Sequence, residues 1–309
     1  MTKEQLQAIF NKNKAAQVKT MMTASNAHII VDKSYVLYLS MFNAHTYIKN
    51  EYALEDDPAL DLTTIGDFTE AFKKKFTSTI FYTAKNALGG LPKMSNVIFA
   101  DDCPKRDIWR NSIFDAYKLQ RRLADKSKNP FDFSKVFAYA NDHLIPEFIE
   151  ENQGSKIIGV DNAEGDDIVA TLIKVLPKED TKVVIANDKD YIQLLDTPNL
   201  ILTNCQGRIF SLEEESKHKL LVENNKTLTA KEFLLKKILI GDKADNIDSI
   251  FPRCGEASAI KLLLNKELLK EKLADPEIRA RFELNKKLID FSNIPESIID
   301  AVKTALSDK

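Results

Sequence analysis

Two patterns of apolar residues alternate along the first two thirds of the chain. Short runs rich in Ile, Val and Phe are each followed by aspartate, directly or after one further residue, as in buried strands that end at a polar edge. These runs cover 28–31, 96–100, 156–160 and 182–186. The longer segments between them carry apolar residues at helical spacing, as in a helix predicted at 66–88. We therefore predict an α/β fold with a mostly parallel central sheet flanked by helices.

The pattern changes after residue 212, where only helical spacing remains. Thr229 is a predicted helix cap, Gly241 a predicted helix end, and 256–264 a further predicted helix. Just before this region, a β-hairpin is predicted with strands at 200–204 and 208–212. The expected domains are an N-terminal extension at 1–26, an α/β core at 27–212 and a helical part at 213–309.

Composition narrows the class of protein. With 309 residues, 44% of them hydrophobic, the chain can form one large domain or two modest ones. No run approaches the ~18 apolar residues of a membrane helix, and the N-terminus lacks the apolar segment of a signal peptide. Cys103, Cys205 and Cys254 are far apart and odd in number, which fits neither a disulfide framework nor a zinc site. We therefore expect a cytoplasmic protein with no membrane association.

The net charge of -2 does not exclude a nucleic-acid partner, because the charges are unevenly placed. Segment 104–128 holds eight basic and three acidic residues, an excess of five positive charges. Within it, Lys118 and Arg121 share one face of a helix predicted at 105–124, beside Tyr117. Such a face can clamp a phosphate while the ring stacks on a base. A solvated basic helix is the alternative interpretation.

Aspartates at strand ends are the main candidates for chemistry. Asp32, Asp101 and Asp188 follow three of the apolar runs, and ligands bind at the carboxyl edge of open parallel sheets. Asp188 alone is explained equally well as the cap of the next helix. Several carboxylates gathered at one edge would raise each other's pKa unless a cation joined them. The expected cation is a hard divalent ion, Mg²⁺ or Mn²⁺.

Two further acidic clusters extend this prediction. Glu164, Asp166 and Asp167 open a predicted helix, and Asp242 and Asp245 follow a predicted helix end. Taken alone, the first cluster suits the helix dipole and the second suits a polar turn. Together with the strand ends they exceed the needs of one ion. Two metals about 4 Å apart would use them to activate a water and stabilise the leaving oxygen of a phosphodiester. The candidate ligands are Asp32, Asp101, Glu164, Asp166, Asp167, Asp188, Asp190, Asp242 and Asp245.

The turn at 251–255, FPRCG, has the shape of a helix–hairpin–helix element because a helix is predicted directly after it. Gly255 lets the backbone approach a ligand closely, and the free N–H groups of the next helix can hold a DNA phosphate. A tight connection between two helices is the alternative interpretation.

The order of these motifs resembles the flap endonuclease (5′-nuclease) superfamily, and within it the 5′ to 3′ exonuclease branch of the bacteriophage ribonuclease H enzymes. The segments that carry the resemblance are IIVDKS, FADD, IWRNSIFDAYKLQRR, AEGDDIVA, ANDKDYIQL, ILIGDKADNI and KKLIDFSNIP. It implies a nuclease core with a helical arch at about 105–135 and a helix–three-turn–helix element at 241–262. The polar segment 125–135 is expected to be poorly ordered without DNA.

The resemblance also implies roles for single residues. The nine acids would ligate two Mg²⁺ or Mn²⁺ ions directly or through water, with Asp242 and Asp245 completing the second site. Lys118 and Arg121 would contact the scissile phosphate, and Tyr117 would stack near the 5′ end. A K⁺ ion at the hairpin turn is an open question, because the turn carries less glycine than is usual in the family. The implied duplex contacts are Arg110, Arg122, Arg253, Gly255 and Lys261.

The expected function is that of a metal-dependent 5′-nuclease of phage DNA replication, acting as a 5′ to 3′ exonuclease and flap endonuclease in an infected bacterial host. Expected substrates are DNA with 5′ flaps, nicks or RNA primers, and RNA–DNA hybrids. Expected partners of the monomer are a phage single-strand-binding protein and a sliding clamp. Two alternatives remain, a PIN-type ribonuclease and a non-catalytic DNA-binding scaffold. The turn at 251–255 argues against the first, and the complete set of acids argues against the second.

Overall fold

The central feature of the computed structural model is a six-stranded sheet in the order β3-β2-β1-β4-β5-β6. The first five strands are parallel and β6 is antiparallel to β5. The predicted mostly parallel sheet and the predicted hairpin are therefore confirmed. The strands are β1 (Ala27–Asp32), β2 (Val97–Asp101), β3 (Lys156–Gly159), β4 (Thr181–Ile185), β5 (Leu200–Thr203) and β6 (Ile209–Phe210). The structure describes residues 27–53, 66–123, 133–207, 209–210 and 228–308.

The strands form continuous apolar runs because the sheet is covered by helices on both faces. Side chains alternate between the faces, so that Ile29 and Val31 of β1 enter one core and Ile30 enters the other. In the register of the sheet, Ile30 lies beside Ile98 of β2 and Val184 of β4. The carboxyl ends of these strands consequently meet at one edge.

Four helices, at 33–51, 68–88, 133–139 and 145–151, cover the first face, burying a core that includes Leu37, Phe72, Phe76 and Phe148. The buried face of the first of these helices continues to Ile48. The helices are α1 (Lys33–Glu51), α2 (Phe68–Leu88), α3 (Leu119–Leu123), α4 (Phe133–Tyr139), α5 (Ile145–Glu151), α6 (Gly165–Val175), α7 (Ala230–Ile240), α8 (Glu256–Leu264), α9 (Lys266–Leu273), α10 (Pro276–Ile289) and α11 (Glu296–Ser307). A single π-helical turn, Ala140–Leu144, joins α4 to α5.

The second face is covered by α6 together with helices from the end of the chain. Ile168 and Leu172 of α6 share a core with Phe233 of α7 and with Ile298 and Val302 of α11. Helices α7 and α11 therefore share a hydrophobic core with the sheet, whereas Ala259 and Leu262 of α8 belong to a separate core with Leu239 and Ile250. Among the described helices, none combines the length and the apolar character that a membrane crossing requires.

The continuous helix predicted at 105–124 is wrong. The structure has a 3₁₀ turn at Trp109–Ser112 and only the short helix α3 after it. Lys118 breaks the helix because its backbone is left-handed, with φ +51°, and its N–H donates to the carbonyl oxygen of Asp245 at 3.0 Å. The tertiary contact with a distant loop replaces the helical hydrogen bond.

Two predictions concern residues that the structure does not describe. The N-terminal extension 1–26 lies outside the described residues, as do positions 125–132 of the segment 125–135. The remaining positions, 133–135, belong to the first turn of α4.

Candidate active site

Four aspartates meet at the carboxyl edge of the sheet on the side of α6. The charges of Asp32, Asp102, Asp166 and Asp188 all act on the buried phenol of Tyr191, whose pKa is raised first by burial and then by these carboxylates. We call these four aspartates the strand-end group. Burial raises the pKa of Asp32 to about 6, the Tyr35 N–H opposes this, and Asp102 and Asp188 add to it. The carboxylates of this group therefore repel one another, and the hydrogen bond from Tyr35 does not offset the effect of burial and repulsion on Asp32.

Asp102, rather than the predicted Asp101, belongs to this group. Its carboxylate accepts hydrogen bonds from Ser34 Oγ at 2.8 Å and from the Gly165 N–H at 2.7 Å. Asp101 instead forms an ion pair with Lys33, which is 3% exposed and also donates to Asn141 Oδ1 at 2.9 Å. Asp101 therefore has an internal counter-ion, and its assignment to the metal site stays a prediction.

The alternation of strand residues explains this difference. Phe99 of β2 faces the core of α1 and α2, whereas Ala100 faces the core of α6. Asp101 is therefore on the same face of the sheet as Phe99. Asp102 is on the same face as Ala100 and Asp32. The alternation of residues along β2 can be read from the sequence. It was not used to choose between Asp101 and Asp102 because the two aspartates are adjacent.

The start of α6 brings three acids together. One carboxylate oxygen from each of Glu164, Asp166 and Asp167 lies within 4.8 Å of the others. Asp166 Oδ1 is buried and meets no hydrogen-bond donor among the described residues. Burial raises the pKa of Asp166 well above its ordinary value, and the charges of Asp167 and Glu164 add to it. An unsatisfied buried carboxylate of this kind is stabilised by a cation.

Asp167 differs from its two neighbours because its oxygens already have partners. Both of them accept hydrogen bonds from Arg110, at 2.8 and 2.9 Å. Oδ2 also accepts from Trp109 Nε1 at 2.9 Å and from the Glu164 N–H at 3.1 Å. The side chain is 0% exposed. Asp167 therefore already has an internal counter-ion in Arg110, and its role as a metal ligand stays a prediction.

A second set of acids lies at the loop after α7. Asp242 and Asp245 belong to this loop, and Asp190 approaches it from the 3₁₀ helix after β4. We call Asp190, Asp242 and Asp245 the loop group. Lys237 forms ion pairs with Asp190 and, at 3.1 Å, with Asp242. Burial raises the pKa of Asp242, but Lys237 lowers it by more, so that the net shift is downward. The loop group therefore contains its own cation.

Gly241 places this loop. Its φ is +77°, and a Cβ at this position would collide with the carbonyl oxygen of Ile247. Glycine ends α7 here because no larger residue fits the close approach of the two backbones. Asp242 follows directly, and its Oδ1 accepts the N–H of Ala244 at 2.8 Å.

Lys118 lies between the two groups. Its ammonium forms an ion pair with Glu164 and lies 3.8 Å from Asp245. Burial lowers the pKa of Lys118, but Glu164, Asp166 and Asp245 raise it by more. The pKa of Glu164 shifts downward, because Lys118 and Arg110 outweigh its burial. Arg121 is half exposed and reaches Asp245 at 3.2 Å.

Tyr117 and Arg110 are buried, contrary to the predicted contacts with DNA. Tyr117 is 2% exposed and its hydroxyl donates to Glu164 at 2.8 Å. A ring packed in this way cannot stack on a nucleobase. Arg110 is also 2% exposed and pairs with Glu164 and Asp167. Both residues therefore contact Glu164 from inside the protein.

The remaining predicted DNA contacts lie at the surface. Arg253, Gly255 and Lys261 are exposed around the start of α8, where Gly255 forms the N-cap. Arg122 is partly buried and donates to the carbonyl oxygen of Asp115. DNA binding by these residues stays a prediction.

The donor set fits hard divalent cations. All candidate ligand atoms are carboxylate oxygens, Asp166 Oδ1 is unsatisfied, and the pKa values of Asp32 and Asp166 are raised. Mg²⁺ and Mn²⁺ prefer oxygen ligands of this type. The strand-end group thus forms an acidic centre at the edge where ligands of open parallel sheets bind.

A parallel sheet with such an edge is the architecture of an acid-centred α/β nuclease core. Residues 28–228 match the family described as 5′-3′ exonuclease, N-terminal resolvase-like domain. This match covers more than half of the 309 residues, and the chain belongs to that family.

Three relatives illustrate the family. The chain is 29% identical to DNA polymerase I of Streptococcus pneumoniae serotype 4 over 171 residues, which is 55% of this chain and 18% of that protein. It is 29% identical to the 5′-3′ exonuclease of Mycoplasmopsis pulmonis over 209 residues, 66% of this chain and 63% of the relative. It is 27% identical to ribonuclease H of Enterobacteria phage T4 over 220 residues, 66% of this chain and 67% of the relative. The chain thus spans less than two thirds of the first two relatives.

Solved structures share the fold. T5 5′-exonuclease with bound zinc superimposes with a TM-score of 0.60 at 16% identity, covering 91% of this chain and 98% of that one. The bacteriophage T5 flap endonuclease in a pseudo-enzyme–product complex with DNA and metal ions gives a TM-score of 0.60 at 16% identity, covering 91% and 97%. At this level of identity the likeness concerns the architecture of the chain.

Proposed function

We propose that this chain is a metal-dependent 5′-nuclease that hydrolyses phosphodiesters at 5′ ends and at short 5′ flaps, including RNA primers. The observation that supports this most is the strand-end group, whose unsatisfied Asp166 oxygen lies at the ligand-binding edge of a 5′-3′ exonuclease fold. Lys118 joins this edge to the loop group. In this proposal two sets of carboxylate oxygens would hold the metal ions on either side of Lys118, whose ammonium would meet the phosphate.

The proposed cations are two Mg²⁺ or Mn²⁺ ions. Asp32, Asp102, Asp166 and Asp188 would hold one, and the loop group would hold the other, with Glu164 between them. When bound, such ions supply Lewis acidity and charge stabilisation for phosphodiester hydrolysis. A K⁺ ion at the turn before α8 remains part of the proposal.

Two basic side chains would act on the scissile phosphate. Lys118 is held with its ammonium on Glu164 and near Asp245, and Arg121 reaches Asp245 from the half-exposed side. A phosphate that enters the edge can take over these charges, because charge-assisted hydrogen bonds to phosphate are strong. Fixed positive charge at the position where negative charge develops lowers the barrier of the chemical step.

We further propose that the exposed turn before α8 grips duplex DNA through Arg253, Gly255 and Lys261. Backbone contacts of this kind position the enzyme without reading sequence. In this proposal the substrates are flapped, nicked or primer-bearing DNA and RNA–DNA hybrids. The enzyme acts as a monomer in the cytoplasm of an infected bacterial host, with a single-strand-binding protein and a sliding clamp as partners.

One set of digestions tests the proposed activity. A 5′-labelled flap, a nicked duplex, an RNA–DNA hybrid and single-stranded RNA are each incubated with Mg²⁺ and with EDTA. We expect cleavage of the first three from the 5′ side, and only with Mg²⁺. Cleavage of single-stranded RNA alone would indicate a PIN-type ribonuclease, and binding without any cleavage would indicate a scaffold.

A further inference from the structure

Arg110 connects three parts of the molecule that are distant in sequence. Its guanidinium donates to both oxygens of Asp167, at 2.8 and 2.9 Å, and to Glu164 Oε2 at 3.0 Å. Its Nε donates to the carbonyl oxygen of Leu288, near the end of α10, at 2.8 Å. The side chain is 2% exposed and packs against the ring of Trp109, 4.6 Å from its centroid. A planar fork with this many fixed partners leaves little room for movement.

Asp167 provides the charge that allows this arginine to be buried. Its two oxygens accept four hydrogen bonds, from Arg110, Trp109 and the Glu164 N–H. A buried guanidinium without a carboxylate would be strongly destabilised. The pair is therefore internally balanced, in contrast to Asp166, which is one residue away and unsatisfied.

The same helix α10 also anchors the loop group. Asn285 is 1% exposed, and its Nδ2 donates to the carbonyl oxygens of Ile238 and Asp248, at 2.9 and 2.8 Å. These two carbonyls flank the segment that carries Asp242 and Asp245. Helix α10 therefore contacts Arg110, the partner of Glu164, through the carbonyl oxygen of Leu288. Through Asn285 it contacts both ends of the segment that carries the loop acids.

From these contacts we infer that Arg110 is a positioning residue of the proposed nuclease, with Asp167 as its counter-ion instead of a cation ligand. Arg110 holds the carboxylate of Glu164 toward Lys118 and fixes it to α10. This inference rests on the proposed function for its catalytic consequence, whereas its charge balance is testable without any nuclease activity.

The charge balance is tested by Mn²⁺ titration calorimetry on the DNA-free protein. Asp167→Asn leaves Arg110 with Glu164 as its remaining carboxylate partner among the described residues, so that Glu164 is drawn further toward Arg110, and we expect Mn²⁺ affinity to fall by about tenfold, as for a lost outer-shell partner. Adding Arg110→Met to this variant removes the excess charge and should restore most of the affinity. The double variant has the wild-type net charge, so loss of a true ligand would leave its affinity well below that of the wild-type protein, and that result would overturn the inference. Asp102→Asn, which belongs to the strand-end group, serves as the reference for a lost ligand.

The positioning role is tested by a double-mutant cycle in single-turnover cleavage of a flap with saturating Mg²⁺. Arg110→Lys keeps the charge but cannot make the bidentate contact, and Glu164→Gln removes the group through which Arg110 is inferred to act. We expect the double variant to cleave at nearly the rate of Glu164→Gln alone, because coupled residues are not additive. Additive losses would show that Arg110 acts on general stability and would overturn the inference. If the wild-type protein cleaves no flap, the proposed function fails, and the Mn²⁺ titration still decides the role of Asp167.

Discussion

The strand-end group and the loop group contain the same chemical units but differ in how their charge is balanced. In the strand-end group the pKa of Asp32 is raised to about 6, chiefly by burial and then by neighbouring carboxylates, and Asp166 Oδ1 has no donor among the described residues. In the loop group Lys237 pairs with Asp190 and Asp242, and the pKa of Asp242 is lowered in spite of its burial. Asp245 is the exception in the loop group, because burial raises its pKa and Lys118 and Arg121 only partly oppose this. Carboxylates at one sheet edge can therefore lack a cation of the protein, as in the strand-end group, or pair with a lysine of the protein, as Asp190 and Asp242 do.

The difference predicts an order of cation binding. An ion that enters the strand-end group relieves repulsion, whereas an ion that enters the loop group must compete with Lys237. We expect the strand-end group to bind Mg²⁺ or Mn²⁺ more tightly. Four sets of variants test this comparison, and they are ordered by the size of the expected effect.

The largest effect is expected for substitution of Asp102, which directly follows Asp101 at the end of β2. Asp102→Asn should slow single-turnover flap cleavage by on the order of 10³-fold, as expected for loss of a group that stabilises transition-state charge. Asp101→Asn should retain far more activity, because Asp101 pairs with Lys33 on the other side of the sheet. Duplex affinity should change little in either variant. Equal losses in the two variants would contradict the division of the acids by strand parity.

Asp101→Asn has a separate cost in stability. The variant leaves the buried ammonium of Lys33 with only Asn141 as a partner. Breaking a buried ion pair from one side costs about 3–5 kcal/mol. Urea denaturation should show this loss for Asp101→Asn and a smaller one for Asp102→Asn, whose side chain is exposed.

Lys118→Ala should slow the chemical step by about 10²-fold while weakening duplex binding much less. The physical reason is that Lys118 meets one phosphate within a long backbone footprint, but at the position where charge develops. Single-turnover rates at saturating enzyme, together with Kd values, separate the two effects. Lys105→Ala, an exposed residue of the same basic segment, is the control. An unchanged rate with a raised Kd would make Lys118 an ordinary backbone contact.

Lys237→Met should strengthen binding of the second Mn²⁺ ion by about tenfold, which corresponds to ~1.4 kcal/mol of differential interaction. The variant removes the ammonium that pairs with Asp190 and Asp242 and leaves these two carboxylates unbalanced. Lys236→Met is the matched control, because Lys236 pairs with Glu256 at 3.0 Å and contacts neither group. Calorimetric titration measures both ions. A second affinity that stays the same in Lys237→Met would show that Lys237 does not compete with the cation.

The smallest effect for each lost contact is expected at the exposed basic residues around the start of α8, outside both groups of acids. Arg253→Ala combined with Lys261→Ala should raise Kd equally for nicked and flapped duplexes and flatten its salt dependence by roughly one unit of slope per lost phosphate contact. Saturated cleavage should stay close to wild type because all carboxylates are retained. Lys303→Ala on α11 is the control, since its ammonium pairs with Asp300 at 2.9 Å. Unchanged affinity and slope in the double variant would leave the turn as a tight helix connection.

Local signals predicted the elements that carry these groups. Helix α8 has the predicted bounds, and Thr229 caps α7 through reciprocal hydrogen bonds with Glu232. The apolar runs became strands, and the fold class was confirmed, because burial on both faces of a parallel sheet requires such runs. The choice between Asp101 and Asp102 was also encoded locally, in the alternation of β2.

Burial of the basic segment was not predictable in the same way. Arg110 and Tyr117 carry the residue types of a DNA-binding face, and spacing along a helix gave no reason to bury them. They are buried because Leu288 of α10 and the loop residue Ile247 pack against this segment. Lys118 then leaves the helical conformation to bond with Asp245.

The sequence by itself determined how many carboxylates the sheet edge receives and which strands and turns deliver them, because these features depend on neighbours along the chain. Only the tertiary structure decided which carboxylates have internal cations. Lys237 reaches Asp190 across 47 positions, and Arg110 reaches Leu288 across 178. Ion pairs depend on distances in space, and the strength of an unpaired charge depends on its burial. For this reason the same residue type is a candidate cation ligand at Asp166 and a counter-ion at Asp167.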